Sequence, residues 1–243
     1  MDENSLRDAT HSALTEAIRP KICSISDSTG NIIKYKNKFY IVTCKHVAKV
    51  FFYLKDKSII LKDNSRIYPD ELKYIDSTND DIDIALIEIL NNTNVKNYFE
   101  EKDIEVIPDF REYNFENSFL FIYGFPYTKH FFKDDKEYIT YISYADNLSK
   151  DKEPNEQFIY FEYDTARERS IVGSEKLKTT LPDPRGLSGA FIFKIDRFEK
   201  GKNEIWKPTS VANAIAIQTS WNKNKWLKGS NIKYLYELLK NNV

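Results

Sequence analysis

Short apolar runs separated by polar turns fill the middle of this chain, and only its two ends carry a helical period. At the front, Leu6, Ala9, Ala13, Leu14, Ala17 and Ile18 recur at three- and four-residue steps, the spacing that stacks side chains on one helix face. They predict a helix over residues 3–18 that stops at Pro20, as a proline does when it removes a donor. At the back, Ile232, Leu235, Leu238 and Leu239 predict a short amphipathic helix over 232–239.

Between these ends the apolar residues are β-branched or aromatic, and the runs are of strand length. Residues 22–25, 32–35, 39–43, 50–54, 58–61 and 83–89 are strand candidates, with turns expected at Gly30-Asn31 and Lys36-Asn37-Lys38. A polar, charge-rich stretch over 91–117 follows, with Asn91-Asn92-Thr93-Asn94 at its front. It is expected to be a linker carrying a short helix over 94–101. A second set of strands is expected at 118–124, 138–143, 158–163, 190–193 and 211–219, with a polar loop over 146–157. The predicted architecture is all-β: two successive six-stranded antiparallel barrels flanked by a helix at each end. It divides into an N-terminal helical segment (1–20), a first barrel with linker (21–117), and a second barrel with the C-terminal helix (118–243).

Composition narrows the functional classes. Hydrophobic residues make up 41% of the 243, enough for a sizeable core, and charged residues 30%, yet the net charge is only −1. That balance gives no electrostatic reason to expect nucleic acid or a membrane as partner. No apolar run approaches the length of a membrane span, and Met1-Asp2-Glu3-Asn4-Ser5 lacks the basic and apolar regions of a signal peptide. A cytoplasmic setting is therefore expected. Cys23 and Cys44, the only cysteines, fit free core thiols in a reducing compartment. Abundant Lys, Asn and Ile suggest an AT-rich, bacterial genome.

Three stretches carry candidate chemistry: Ile41-Val42-Thr43-Cys44-Lys45-His46-Val47, Asp83-Ile84-Ala85-Leu86 and Gly186-Leu187-Ser188-Gly189-Ala190. A serine hydroxyl is a weak nucleophile that needs a base within reach and a third group to orient that base. His46 closes an apolar run and is the candidate base, since His11 and His130 lie on the first helix and in a charged loop. Asp83 is the candidate orienting group, with Asp80 and Asp81 as local rivals in the same acidic run. The backbone N–H groups of Gly186 and Ser188, two residues apart, can converge on a developing oxyanion. The order His, Asp, Ser is that of chymotrypsin and not of subtilisin or the α/β-hydrolases.

On these three motifs the chain resembles the trypsin/chymotrypsin-like serine peptidases, in style their HtrA-like intracellular bacterial branch. The resemblance implies a chymotrypsin-like double barrel and peptide-bond hydrolysis by a His46–Asp83–Ser188 triad. It also favours Asp83 over its neighbours, through the Asp-Ile-Ala-Leu segment. The floor of the primary pocket would be set six residues before Ser188, at Pro182, with Asp183 beside it. The cleft wall would be the strand 215–220, with Ile217, Thr219 and Ser220, and then Trp221, as lining candidates.

Two departures matter. Leu187 stands where zymogen-activated relatives carry an Asp that pairs with a newly cut N-terminus, so that activation route is not expected. Ala190 replaces a second glycine, which breaks Gly-x-Ser-x-Gly. Ser170-Ile171-Val172-Gly173 looks superficially like an activation site but is expected to be plain strand or loop.

No cofactor or metal is expected, because no Cys/His cluster has zinc spacing and no glycine-rich phosphate loop is present. The expected partners are a protein or peptide substrate and a regulatory protein that restrains the enzyme. A bacterial stress-response or antiphage role would suit such an effector. The alternative is a catalytically silent module that keeps the fold and holds peptides in its cleft.

Overall fold

Two tight turns build the first sheet. The computed structural model describes residues 3–54, 58–61, 64–77, 79–90, 97–98, 118–126, 130–133, 136–139, 141–167, 169–171, 174–196 and 212–242. Helix α1 (Glu3–Ile18) ends in one 3-10 turn, Arg19–Lys21, that contains Pro20. Three strands follow: β1 (Ile22–Ile25), β2 (Ser28–Tyr35) and β3 (Lys38–Thr43). Ser26 and Asp27 (φ 46° and 59°) join the first pair, and Lys36 and Asn37 (φ 45° and 62°) the second. Two adjacent positive φ values are the type I′ hairpin, whose twist matches its strands. Gly30-Asn31 is therefore not a turn but part of β2, opposite Cys23 and Ile22. Gly30 is small because a Cβ there would lie 2.7 Å from Ile41 and 2.8 Å from the Cys23 sulfur.

The strand expected over 50–54 is the end of a helix, α2 (Lys45–Tyr53), whose buried side is Val47, Ala48 and Phe51. A short apolar run does not by itself separate strand from buried helix. Four more strands complete the sheet: β4 (Ile59–Ile60), β5 (Arg66–Ile67), β6 (Leu72–Asp76) and β7 (Ala85–Ile89). Their order is β5-β4-β1-β2-β3-β7-β6, seven strands where six were expected.

The second half begins with β8 (Ser118–Gly124), a ribbon of β9 (His130–Lys133) and β10 (Lys136–Ile139), and then β11 (Ile142–Asp146). The run expected as one strand over 138–143 is thus divided between β10 and β11. Next come β12 (Phe158–Tyr163), a second ribbon of β13 (Arg169–Ile171) and β14 (Ser174–Thr179), and β15 (Phe191–Asp196). The chain closes with β16 (Ala212–Asn222), β17 (Lys225–Asn231) and helix α3 (Lys233–Asn242). The six-stranded sheet runs β11-β8-β15-β16-β17-β12. Polar Lys, Gly, Ser and Asn along β17 hide it from the hydrophobic pattern. Except for Asn97 and Tyr98, the linker and helix expected within 91–117 lie outside the described residues, as do Val172 and Gly173. The fold is all-β, two curled antiparallel sheets with a helix at each end, of chymotrypsin-like double-barrel type. Among the described residues, no helix is long and apolar enough to cross a membrane.

The terminal helices cross over between the halves. Helix α1 leads into the first sheet but buries Leu14 and Ile18 with Phe121, Tyr123, Phe125 and Ile195 of the second. Helix α3 leaves the second sheet but buries Leu235, Tyr236, Leu238 and Leu239 in the core of the first. Each such side chain contributes about 1.5–3 kcal/mol.

Between the sheets lies a buried polar seam. Thr29 on β2 is fully buried, and its backbone N–H donates to the Ser188 carbonyl at 3.0 Å. Its hydroxyl donates to the Gly186 carbonyl at 2.9 Å and accepts from the Phe125 N–H at 3.0 Å. Asn31, two residues on and on the same strand face, donates to the Gly189 carbonyl and accepts from the Phe191 N–H at 3.3 Å. Thr29→Val keeps the shape but orphans the Gly186 carbonyl and the Phe125 N–H. It is expected to destabilise by about 2–3 kcal/mol in urea unfolding, and a change within error would contradict this role for the seam.

Candidate active site

His46 sits in the first turn of α2, three residues beyond the end of β3, and not at the strand end where the sequence placed it. The helix begins after Cys44, whose side chain makes no cap to the helix N-terminus. The first N–H groups of a helix need an acceptor from somewhere, and here it comes from a distant loop. Asp83 accepts the His46 backbone N–H at 3.0 Å through Oδ1, and its Oδ2 lies 2.6 Å from His46 Nδ1. The Lys45 N–H also donates to this carboxylate. One group therefore caps the helix and grips the imidazole.

Burial pulls the Asp83 carboxyl upward. The hydrogen bond and charge of the His46 ring and the two backbone N–H groups outweigh it and hold the carboxyl below the usual range. Lys45 pins the neighbouring acidic loop, reaching the Ser77 carbonyl at 2.9 Å and Asp80 at 3.2 Å. Asp81 is exposed and bonds locally to Asn79. Asp83 is thus the member of the acidic run set against His46.

Ser188 rides on two successive turns. The Leu187 N–H returns to the Pro184 carbonyl at 3.0 Å and the Ala190 N–H to the Leu187 carbonyl at 2.9 Å. Gly186 and Gly189, third in each turn, both have φ 93°, the type II pattern that calls for glycine. A Cβ on Gly189 would also stand 2.0 Å from the Thr29 carbonyl oxygen. Ser188 is left at the leading corner of the second turn, partly exposed. Leu187 is fully buried in the apolar core of the second sheet and anchors the pair of turns. Among the described residues, no backbone acceptor meets the N–H of Gly186 or of Ser188.

A short chain of bonds joins the two halves of the site. The Cys44 thiol donates to the Gln218 carbonyl at 3.0 Å, and that carbonyl also accepts the Gly189 N–H at 2.8 Å. The ligand atoms of Cys44, His46 and Asp83 lie within 4.8 Å of one another, which raises the question of a metal. Burial, and then the charge of Asp83, push the Cys44 thiol well up. In this structure the thiol is committed to the Gln218 carbonyl and links the two halves. Thr29, Asn31, Cys44, Gly189 and Gln218 were not singled out from the sequence as site residues. Thr29 and Asn31, alternate residues on one face of β2, were the available signal.

The pocket candidates fare unevenly. Ile217 is fully buried and is paired on both sides, to Phe191 and to Ser230, so its side chain cannot line a cleft. Beyond it, Gln218 bonds to Gly189 and Ala190, and from 219 to 222 no described strand covers the β15 side of β16. Ser220 is exposed along this free edge, and Thr219 turns its hydroxyl to the Lys228 carbonyl at 3.3 Å. The Pro182 carbonyl accepts from the Tyr163 hydroxyl at 3.0 Å. Asp183 is engaged by the Arg185 backbone N–H and Nε, both at 3.0 Å.

The Asp83 carboxyl is lowered on folding from about 3.9. Its contribution to stability is therefore full above about pH 5 and is lost as pH falls through the folded value. Asp83→Asn is expected to flatten this acid limb in urea unfolding followed from neutral to acid pH. An acid limb of the same slope in both proteins would contradict the pairing.

No family model matches the chain, and no curated protein matches it. Among solved structures it is similar to one from work on the coupled folding and binding of the disordered VPg protein of Sesbania mosaic virus (11% identity, TM-score 0.48, 90% of each chain covered). It is also similar to the serine protease of a human pathogenic astrovirus (10% identity, TM-score 0.42, 88% of this chain and 90% of that one). A third is an inactive form of Rv3671c from M. tuberculosis H37Rv (10% identity, TM-score 0.46, 99% of this chain and 93% of that one). Likenesses of this depth decide neither activity nor substrate, and the chemistry has to come from the residues themselves.

Proposed function

We propose that this chain is a serine endopeptidase acting through an acyl-enzyme on Ser188. The observation that carries the reading is the 2.6 Å contact between His46 Nδ1 and Asp83. It fixes Nδ1–H toward the carboxylate and leaves Nε2 as the basic nitrogen. In the proposed reaction Nε2 takes the Ser188 proton as Oγ attacks the scissile carbonyl, and returns it to the leaving amine. Water then enters by the same base and releases the acyl group. The unpaired N–H groups of Gly186 and Ser188 suit the developing oxyanion, a contribution of about 3–4 kcal/mol per donor in such sites.

The free edge of β16 over 219–222 supports an extended peptide as substrate, added as a strand beside the serine turn. Asp183 is occupied by Arg185, which speaks against a carboxylate-floored pocket for Lys or Arg side chains. Buried Leu187 leaves no carboxylate for a new N-terminus to pair with, so we propose control by a partner and not by N-terminal cleavage.

Hydrolysis of an unstructured protein such as casein tests this reading. The wild type is expected to generate new termini, and Ser188→Ala to lower the rate at least about a thousandfold. A wild type that binds casein without cutting it would overturn catalysis in favour of a peptide-holding module.

A further inference from the structure

Where the turn after α1 meets both sheets lies a half-open cavity of about 100 Å³, room for several waters. Among the described residues its polar lining is Arg19, Ser24, Asn64, Tyr123 and Tyr141, with no carboxylate. Every one of these groups can donate a hydrogen bond. Among the described residues no carboxylate lies within ion-pair distance of Arg19, whose guanidinium rests over the Tyr141 ring at 4.9 Å. The Tyr123 side chain is fully buried, and its hydroxyl makes no hydrogen bond of good geometry, only a loose one with Tyr141. Burial, and then neighbouring Tyr141, push that hydroxyl far up, against a smaller opposite pull from Arg19. It therefore stays protonated and has a proton to give. A buried polar group without a well-formed hydrogen bond costs about 1–3 kcal/mol, and a ligand that accepts from it would recover that.

We propose that this cavity binds a small oxyanion, a phosphate or carboxylate group, held by Arg19 and the Tyr123 hydroxyl. Ile60, Leu61 and Phe125 complete the wall with apolar surface, which lowers the local dielectric and strengthens a charged hydrogen bond. Glu16, one helical turn before Arg19, is near enough to act on Tyr123 but is not part of the lining. It sets a like charge that keeps affinity modest, roughly millimolar for a free ion. The cavity touches both halves of the fold, and its wall residue Phe125 is bonded directly to Thr29. The site stands independently of the proposed protease activity.

Calorimetric titration of the full chain with inorganic phosphate, and separately with acetate, tests it. Saturable binding by the wild type is expected, at least tenfold weaker in Arg19→Gln. Tyr123→Phe removes only a loosely bonded hydroxyl, so it should fold as well as the wild type and still bind several-fold more weakly. Tighter binding of phosphate assigns the site to phosphate, and tighter binding of acetate to carboxylates. No saturable binding of either ion, or binding unchanged in both variants, would overturn the proposal.

Discussion

The buried hydroxyl of Thr29 is the centre of a small set of hydrogen bonds that join two sheets packed through apolar side chains. It sits in a strand of the first sheet, yet its partners are the Gly186 carbonyl and the Phe125 N–H of the second. Apolar contact is non-directional and would tolerate a slip of one sheet against the other. Hydrogen bonds from a buried donor do not, because a slip leaves polar groups unpaired in a low-dielectric interior. The turns bearing Ser188 belong to the second sheet and the His46–Asp83 pair to the first. Their relative placement therefore depends on Thr29, on Asn31, and on the Gln218 carbonyl that Cys44 and Gly189 share.

The same economy governs Asp83. A lone carboxylate could orient an imidazole, but the half-exposed ring (53% of its side chain is exposed) would still swing with its helix. By also accepting the N–H groups at the start of α2, Asp83 ties ring and helix to one loop. The crossed terminal helices act on a larger scale, since each is continuous with one sheet and buried against the other. Local fraying at either end would then loosen the joint between the halves, a coupling the strand ladders alone do not supply.

What the sequence made legible follows this division. Strand-rich halves, a helix at each end and the candidacy of His46, Asp83 and Ser188 are carried by local patterns and by residue type. The hairpin at Ser26-Asp27 was hidden because Gly30-Asn31 looked a better turn, and only contact with Ile41 and Cys23 explains a glycine inside β2. The helical state of 45–53 was lost in a short apolar run that fits either period. Ile217 was misplaced as cleft lining because the end of β15 opposite it, which fixes where the free edge of β16 begins, is a tertiary fact. Thr29 and Asn31 act on residues more than 150 positions away, and no window along the chain contains both ends of those bonds.

The central claim is that a seam between two sheets brings an oriented His46 to bear on Ser188. Intact-mass measurement after exposure to a fluorophosphonate, with peptide mapping of the adduct, tests it most directly. The account requires one adduct per chain, on Ser188, forming at least about a hundredfold more slowly in His46→Ala. An adduct on another residue, or labelling of Ser188 at the same rate without His46, would contradict it.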